Sequence, residues 1–404
     1  MTGALSGFRV LDLSRILAGP WASQMLADLG AEVIKVERPM QGDDTRSWAP
    51  PYMPDHDGNA TTESAYFHGA NRGKQSVCID ISTEQGQDLI RQLAIKSDVL
   101  IENFKVSGLK KYGLDYDNLK SLNPKLVYCS ITGFGQTGPY AERAGYDFMI
   151  QAMGGLMSVT GTPEGEPMKV GVALADVMTG LYAANAIQAA LIHQLRTGEG
   201  QYIDLALLDV QVATLANQAM NFLASGENPQ RLGNAHPNIV PYQAFKTADG
   251  FIILAIGNDT QFRRFCELTN AEVLASDERY QKNANRVKNR SSLIPLIVDM
   301  MRTQTTDWWL DHLNQKGIPC GPINNLDQVF ADPQVQFRNM QLELDHPTAG
   351  KVNTVKNPIN LSKTPLEYGK AAPTLGQHTD AVLSQVLGID QASIETLHED
   401  KIVS

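Results

Sequence analysis

Cysteine is scarce and scattered: there are four in 404 residues, Cys78, Cys129, Cys266 and Cys320, and no two have the spacing of a zinc ribbon, a c-type haem or a redox dithiol. A disulfide framework and cysteine-metal sites are therefore unexpected, and a reducing compartment, the cytoplasm, is predicted. Basic charge is also short. With 34 Lys plus Arg against 44 Asp plus Glu the formal charge is −10, which excludes a broad grip on nucleic acid or an anionic membrane, so any phosphate site must be local. Long apolar runs are missing as well. The most apolar long segment, Val170 to Leu195, is interrupted by Asp176, Asn185 and Gln188, and the opening Met-Thr-Gly-Ala-Leu-Ser-Gly has no basic-then-apolar pattern. Membrane spanning and secretion are both disfavoured.

What is present is ordinary for a globular enzyme-sized chain: 43% hydrophobic and 19% charged residues, with length for two or three domains. The first forty residues read strand, helix, strand: Arg9 to Leu13, then Trp21 to Leu29 closed by Gly30, then Glu32 to Glu37. A second such unit follows, with Ser76 to Asp80, Thr83 to Lys96 and Asp98 to Glu102, and Lys125 to Thr132 adds another strand. This predicts an α/β fold with a doubly wound, mainly parallel, Rossmann-like sheet. Pro39 to Thr62, rich in Pro, Asp and Gly, reads as a long surface loop. A long helix over Asp176 to Gly198 and a buried strand over Gln201 to Leu207 complete a large domain, residues 1–224. A hairpin (Tyr242 to Lys246, Phe251 to Ala255) and helices near Gln261 to Thr269, Ser291 to Arg302 and Thr306 to Lys316 predict a smaller α+β domain, 225–326. Residues 327–404 read as irregular up to an amphipathic stretch, Thr379 to Leu387, that returns the chain to the large domain.

The first β-α turn, Ser14-Arg15-Ile16-Leu17-Ala18-Gly19-Pro20, has one glycine where a dinucleotide site needs three, so nicotinamide binding is contradicted. The N–H groups after Pro20 still offer a place for an anion. Asp176 stands where an apolar run meets the long helix. Its plainest role is an N-cap. The helix dipole at such a position would also keep the carboxylate ionised, as a nucleophile in acyl transfer requires, and both accounts stay open. Arg38, Arg72, Lys74, Lys105, Lys110 and Lys111 make a local basic set, and Asn71-Arg72-Gly73-Lys74, Gly133 to Gly138 and Gly154-Gly155 are glycine-rich bends. The histidines show no metal-ligand spacing, so no metal is expected. His236, in Gly233-Asn234-Ala235-His236-Pro237-Asn238, is the histidine best placed for a cleft.

Together these segments resemble the class III CoA-transferases (the CaiB/BaiF family). The matching stretches are Leu11 to Arg15 through Gly19-Pro20, Leu29 to Glu37, Asn71 to Lys74, Ile101-Glu102-Asn103-Phe104, Ala144-Gly145-Tyr146-Asp147 and Ala175-Asp176. Asn234 to Phe245 and Gly321 to Asn324 look like the members that use dicarboxylates, of the succinyl-CoA:glutarate type. The resemblance implies transfer of CoA from an acyl-CoA to a free carboxylic acid. Asp176 would be the nucleophile, through a mixed anhydride and an aspartyl-CoA thioester, with Tyr146 and Asp147 near the thioester. It implies CoA contacts from Arg15, Ile16, Leu17, Ala18, Arg38, Asn71, Arg72, Gly73, Lys74, Asn103, Phe104, Lys111 and Tyr146, no prosthetic group, and an interlocked homodimer. His236 and Arg46 are candidates for the acid substrate. Leu17 stands where formyl-CoA transferase has a glutamine, which argues against oxalate chemistry. A racemase of the same superfamily, with a histidine in Gly-His-Asp, is the runner-up; Tyr146 in Gly145-Tyr146-Asp147 is a poorer base. A non-catalytic acyl-CoA-binding protein is the other alternative.

Overall fold

The structure, a computed structural model, describes residues 3–404, which divide into two compact units. Of these, the first comprises residues 3–156, Val170–Ala219 and Gln336–Ser404; the second comprises Met157–Lys169 and Met220–Val335.

The first unit is built on six strands: β1 (Arg9–Asp12), β2 (Glu32–Glu37), β3 (Lys74–Cys78), β4 (Val99–Glu102), β5 (Val127–Thr132) and β6 (Tyr202–Ala206). All pair in parallel in the order β3-β2-β1-β4-β5-β6, the doubly wound order, with its reversal between β1 and β4. Runs such as Val10-Leu11 and Val33-Ile34 are apolar at consecutive positions because both faces of the sheet are covered. Leu11, Ile34, Val77 and Leu100 face a cluster with Leu89, Ile90, Leu93, Leu383 and Ile394, and Val10, Val33, Val99 and Val127 face one with Ala22, Leu26, Ala183 and Ile187.

The helices begin where local chemistry permits. Helix α1 (Ala18–Asp28) holds Pro20 in its first turn, where the missing N–H costs no hydrogen bond. Helix α2 (Glu84–Ile95) is capped by the Thr83 side chain, α3 is short (Asp147–Met153), and α4 (Leu174–Thr197) ends at Gly198, in the left-handed conformation at φ 80°.

Several expectations are corrected. The stretch read as a loop from Pro39 to Thr62 contains a 3₁₀ turn (Asp44–Ser47) and an antiparallel hairpin of Tyr52–Pro54 with Ala60–Ser64. The supposedly irregular segment after Leu326 holds a hairpin, Gln341–His346 with Gly350–Val355, and a C-terminal helix, Gln391–Glu399. The second unit carries a three-stranded antiparallel sheet of β7 (Tyr242–Lys246), β8 (Phe251–Ala255) and β9 (Cys320–Pro322), packed on Phe262, Phe265, Leu293, Ile297 and Trp309. It also takes in Met157–Lys169, which the sequence had assigned to the large domain; Arg231 Nη2 donates to Gly165 O at 2.7 Å and Gly233 N–H to Gly161 O at 2.9 Å.

Two buried ion pairs anchor the bend of residues 71–74 that leads into β3. Arg72 donates to both oxygens of Asp28 (2.8 and 2.6 Å) and to Val355 O (2.8 Å). Lys74 donates to Asp12 (3.2 Å), Pro20 O (2.9 Å) and Asn71 Oδ1 (2.9 Å). Removing one partner of such a pair leaves a buried charge unmatched. Arg72→Ala should therefore lower the unfolding free energy by about 3–5 kcal/mol in a urea titration, far more than loss of an exposed ligand-binding arginine would.

Candidate active site

A cleft of about 810 Å3 runs along the carboxyl ends of all six strands of the first unit. Leu13 follows β1, Glu37 ends β2, Ile79 follows β3, Asn103 follows β4, Thr132 ends β5 and Leu207 follows β6, and all line it. Open α/β sheets bind ligands at this edge, where the strand order reverses.

The turn Arg15 to Ala18 forms one wall and is held from two sides. Asn103 pairs with Arg15 like a backbone strand, accepting its N–H at 2.9 Å and donating to its carbonyl at 2.7 Å. Ile16 adopts φ 72°, unusual for a β-branched residue, and its N–H donates to Asp43 at 3.2 Å. Asp43 is held at about 2: burial pushes it up, but Lys35 Nζ at 2.9 Å and the Thr45 N–H outweigh that. Across the cleft, Gly133 and Gly145 touch backbone to backbone. A Cβ on either would lie 2.4–2.5 Å from the other's Cα, so only glycine fits beside Tyr146.

Asp176 lines the cleft half-buried. It is not the N-cap: Ala173 holds that place without a side-chain bond, and Asp176 is the third residue of α4. The free N–H groups of the first turn are satisfied elsewhere. Leu174 donates to Val172 O (2.8 Å), Val177 to Ala173 O (3.1 Å), and Ala175 and Asp176 donate to Asp147 Oδ1 at 2.8 and 3.3 Å. The expectation that the helix terminus keeps Asp176 ionised is corrected accordingly. Burial, then the charge of Asp147, pushes its carboxyl up to about 7.

Of the residues singled out from the sequence, Arg15, Ile16, Leu17, Ala18, Arg38, Asn103, Phe104, Lys111, Tyr146 and Asp176 meet on this cleft. Asp147 does not line it and acts on the backbone behind Asp176. Asn71, Arg72 and Lys74 are buried in the ion pairs described above, so they are parts of the scaffold, and Gly73 at φ 76° is the bend between them. Arg46 is committed to Glu37 by two hydrogen bonds (2.7 and 2.8 Å) and lies over the Phe67 ring at 3.7 Å. His236 lies in the second unit, its Nδ1 accepting from Asn238 N–H at 3.0 Å. The sequence reading missed Arg143, a cleft residue stacked on Tyr140 at 4.5 Å, and Tyr66, whose phenol is raised by burial and by Asp176 and which packs edge-on to Trp48 at 5.1 Å. No local pattern marks either.

Among the described residues, Glu63, His68 and His346 form the one grouping with metal-ligating atoms close together. His346 Nδ1, however, accepts the N–H groups of Ala349 (3.0 Å) and Thr348 (3.3 Å), so its proton sits on Nε2 and that nitrogen has no lone pair for a metal. Arg46, 3.9 Å from Glu63, adds a competing cation. The four cysteines are free, and no described helix is long and apolar enough to cross a membrane.

A doubly wound sheet whose cleft carries one carboxylate of raised pKa among several cations defines, by class, a Rossmann-like protein with a site for an anionic ligand. The chain matches the profile of CoA-transferase family III over residues 5–379. It is 53% identical over 393 residues to the succinate–glutarate CoA-transferase of Agrobacterium fabrum (96% of this chain, 97% of that one). It is 44% identical over 393 residues to the human succinyl-CoA:glutarate CoA-transferase, covering 97% and 88%. A crystal structure of a CaiB/BaiF family protein from Brucella suis matches at 51% identity with a TM-score of 0.83, covering 96% of this chain and all of that one. The chain belongs to CoA-transferase family III and is a class III CoA-transferase.

Raising the Asp176 carboxyl to about 7 has a stability consequence of definite sign. The folded state keeps the proton between the unfolded value of about 3.9 and about 7, so stability falls as pH rises through that window and stays low above it. Asp176→Asn removes this burden. It should be more stable than wild type by about 4 kcal/mol at pH 8 and about equal at pH 4, measured by chemical denaturation.

Proposed function

We propose that the protein moves CoA between dicarboxylic acids of the succinate and glutarate kind, with Asp176 as the covalent nucleophile. The observation that carries this reading is a half-buried carboxylate of raised pKa facing a cleft at the sheet's switch point, with no cation among the described residues paired to it. The substrates named for the relatives support the choice of acids.

Ionised Asp176 attacks the thioester carbonyl. An O–C bond forms, the C–S bond breaks, and CoA leaves as thiolate with a mixed anhydride behind it. The thiolate then attacks the Asp176 Cγ, breaking the Cγ–O bond and releasing the first acid as a carboxylate. The acceptor carboxylate reverses both steps and regenerates the Asp176 carboxylate. One thioester replaces another of similar energy, so the protein has to position the groups and exclude water. Arg15 to Ala18, Arg38, Asn103, Phe104 and Lys111 would hold CoA along the cleft, with Tyr146, two-thirds exposed, beside the thioester. The apolar side chains left exposed on the first unit, Phe148, Leu181, Tyr182, Ile192 and Leu195 among them, suit the family's interlocked homodimer. The free cysteines suit a reducing, cytoplasmic setting.

Incubation with succinyl-CoA and glutarate should yield glutaryl-CoA by chromatography, and Asp176→Ala of equal fold should lose at least about 10³-fold in kcat. No exchange with any dicarboxylate removes the substrate assignment. Because the attacking form is the ionised one, kcat/KM should fall about tenfold per pH unit below about 7. A profile flat to pH 5 contradicts Asp176 as nucleophile.

A further inference from the structure

An α-helix leaves its first N–H groups without internal partners, and a neighbouring side chain usually answers them. Helix α4 has no such neighbour, since Ala173 cannot accept. Its cap is imported from α3. Asp147 Oδ1 takes the N–H groups of Ala175 and Asp176, while Oδ2 is held by Gln151 Nε2 at 2.8 Å. Gln151 is fully buried and fixed in turn. Its Oε1 accepts Val170 N–H at 2.9 Å and its Nε2 also donates to Val172 O at 3.3 Å, so the segment entering α4 is tied to the same amide. The result is two carboxylates on successive layers of one helix start: Asp176 on the cleft, Asp147 off it.

Resting on the reading of Asp176 as nucleophile, we propose that Asp147 is a positioning residue with two tasks: it caps the helix that carries Asp176, and its negative charge favours the covalent forms of Asp176. The second task follows from where charge goes. When Asp176 bonds to the acyl carbon, the C–S bond breaks and the charge departs on sulfur. When the thiolate displaces the acid, the charge departs on that acid. In both adducts the Asp176 side chain is neutral and its repulsion from Asp147 is gone. Free, ionised Asp176 alone bears that repulsion, so Asp147 moves the equilibrium toward anhydride and thioester. The same repulsion, after burial, is what raises the Asp176 carboxyl. Tyr66 is the other titratable side chain coupled to Asp176, and it is coupled to Asp147 and Asp43 as well; Lys35, Asp43 and Arg143 line the same cleft.

Because one interaction does both, its two readouts must move together. Asp147→Asn keeps an oxygen for the two N–H groups and loses the charge. The acid limb of kcat/KM should shift to lower pH by about one unit, and the fraction trapped as aspartyl-CoA, read by intact mass at pH 8 with succinyl-CoA and no acceptor, should fall by about tenfold per unit of that shift. Asp147→Glu should restore both toward wild type. An unmoved limb with unchanged adduct in Asp147→Asn overturns the proposal while the wild-type adduct, mapped to residue 176, still stands. Absence of any adduct in wild type overturns the nucleophile reading and this proposal with it. Should Asp147→Asn fail to fold, wild type labelled with ¹³Cγ-aspartate decides. Asp176 titrating near 7 in steps shared with a second aspartate supports the coupling, and a single step in the ordinary aspartate range overturns it.

Discussion

Two lysines on neighbouring strands, Lys35 and Lys74, have no exposed surface at all, and the whole cleft wall depends on the carboxylates that face them. Burial alone would strip a lysine of its charge, and Lys74 does come down to about 8. Lys35 is instead held above its ordinary value, because Asp43, Asp12 and Glu37 outweigh the burial. The pairs then dictate backbone. Asp12, kept low by Lys74, Lys35 and two serines against its own burial, fastens Ser14. Lys35 orients Asp43, and Asp43 holds the N–H of Ile16 in its left-handed conformation. A turn that in a dinucleotide-binding protein is shaped by glycines is shaped here by charge. This explains how a one-glycine turn can still present backbone to a ligand.

That network also shows where sequence reading stops. The strand and helix order was legible because apolar residues recur with periods of 2 and 3.6 wherever the sheet and its covering helices bury them. The motif around Asp176 was legible from residue types in order. The roles of Arg72 and Lys74 were not. A basic residue beside a glycine bend reads the same whether it meets a ligand's phosphate or a buried carboxylate far off in sequence, as Asp28 is from Arg72 and Asp12 from Lys74. Nothing local separates the two. The hairpin Gln341–His346 was available in principle, since Leu342 and Leu344 alternate with polar residues, and the surrounding prolines and charges masked it. Arg143 and Tyr66 reach the active region through long-range folding alone.

Asp147 is the clearest case of a role that only coordinates reveal. Next to Tyr146 in a recognisable motif, it reads as a group that touches substrate. In the fold it touches backbone, two residues of another helix, and leaves the cleft to Asp176. The consequence is chemical. A carboxylate at a helix start normally collects the free N–H groups, sits low in pKa and is correspondingly weak as a nucleophile. By giving those donors to Asp147, the fold denies them to Asp176 and places a like charge beside it, and burial with that charge pushes the carboxyl of Asp176, the proposed nucleophile, up to about 7. A group in that position gains most from any reaction that takes its charge away, and acylation is such a reaction. On the proposed mechanism, the arrangement ties the burden that Asp176 lays on folding to the ease with which it would become a neutral anhydride or thioester. On that reading the instability sits at the side chain that the proposed chemistry uses.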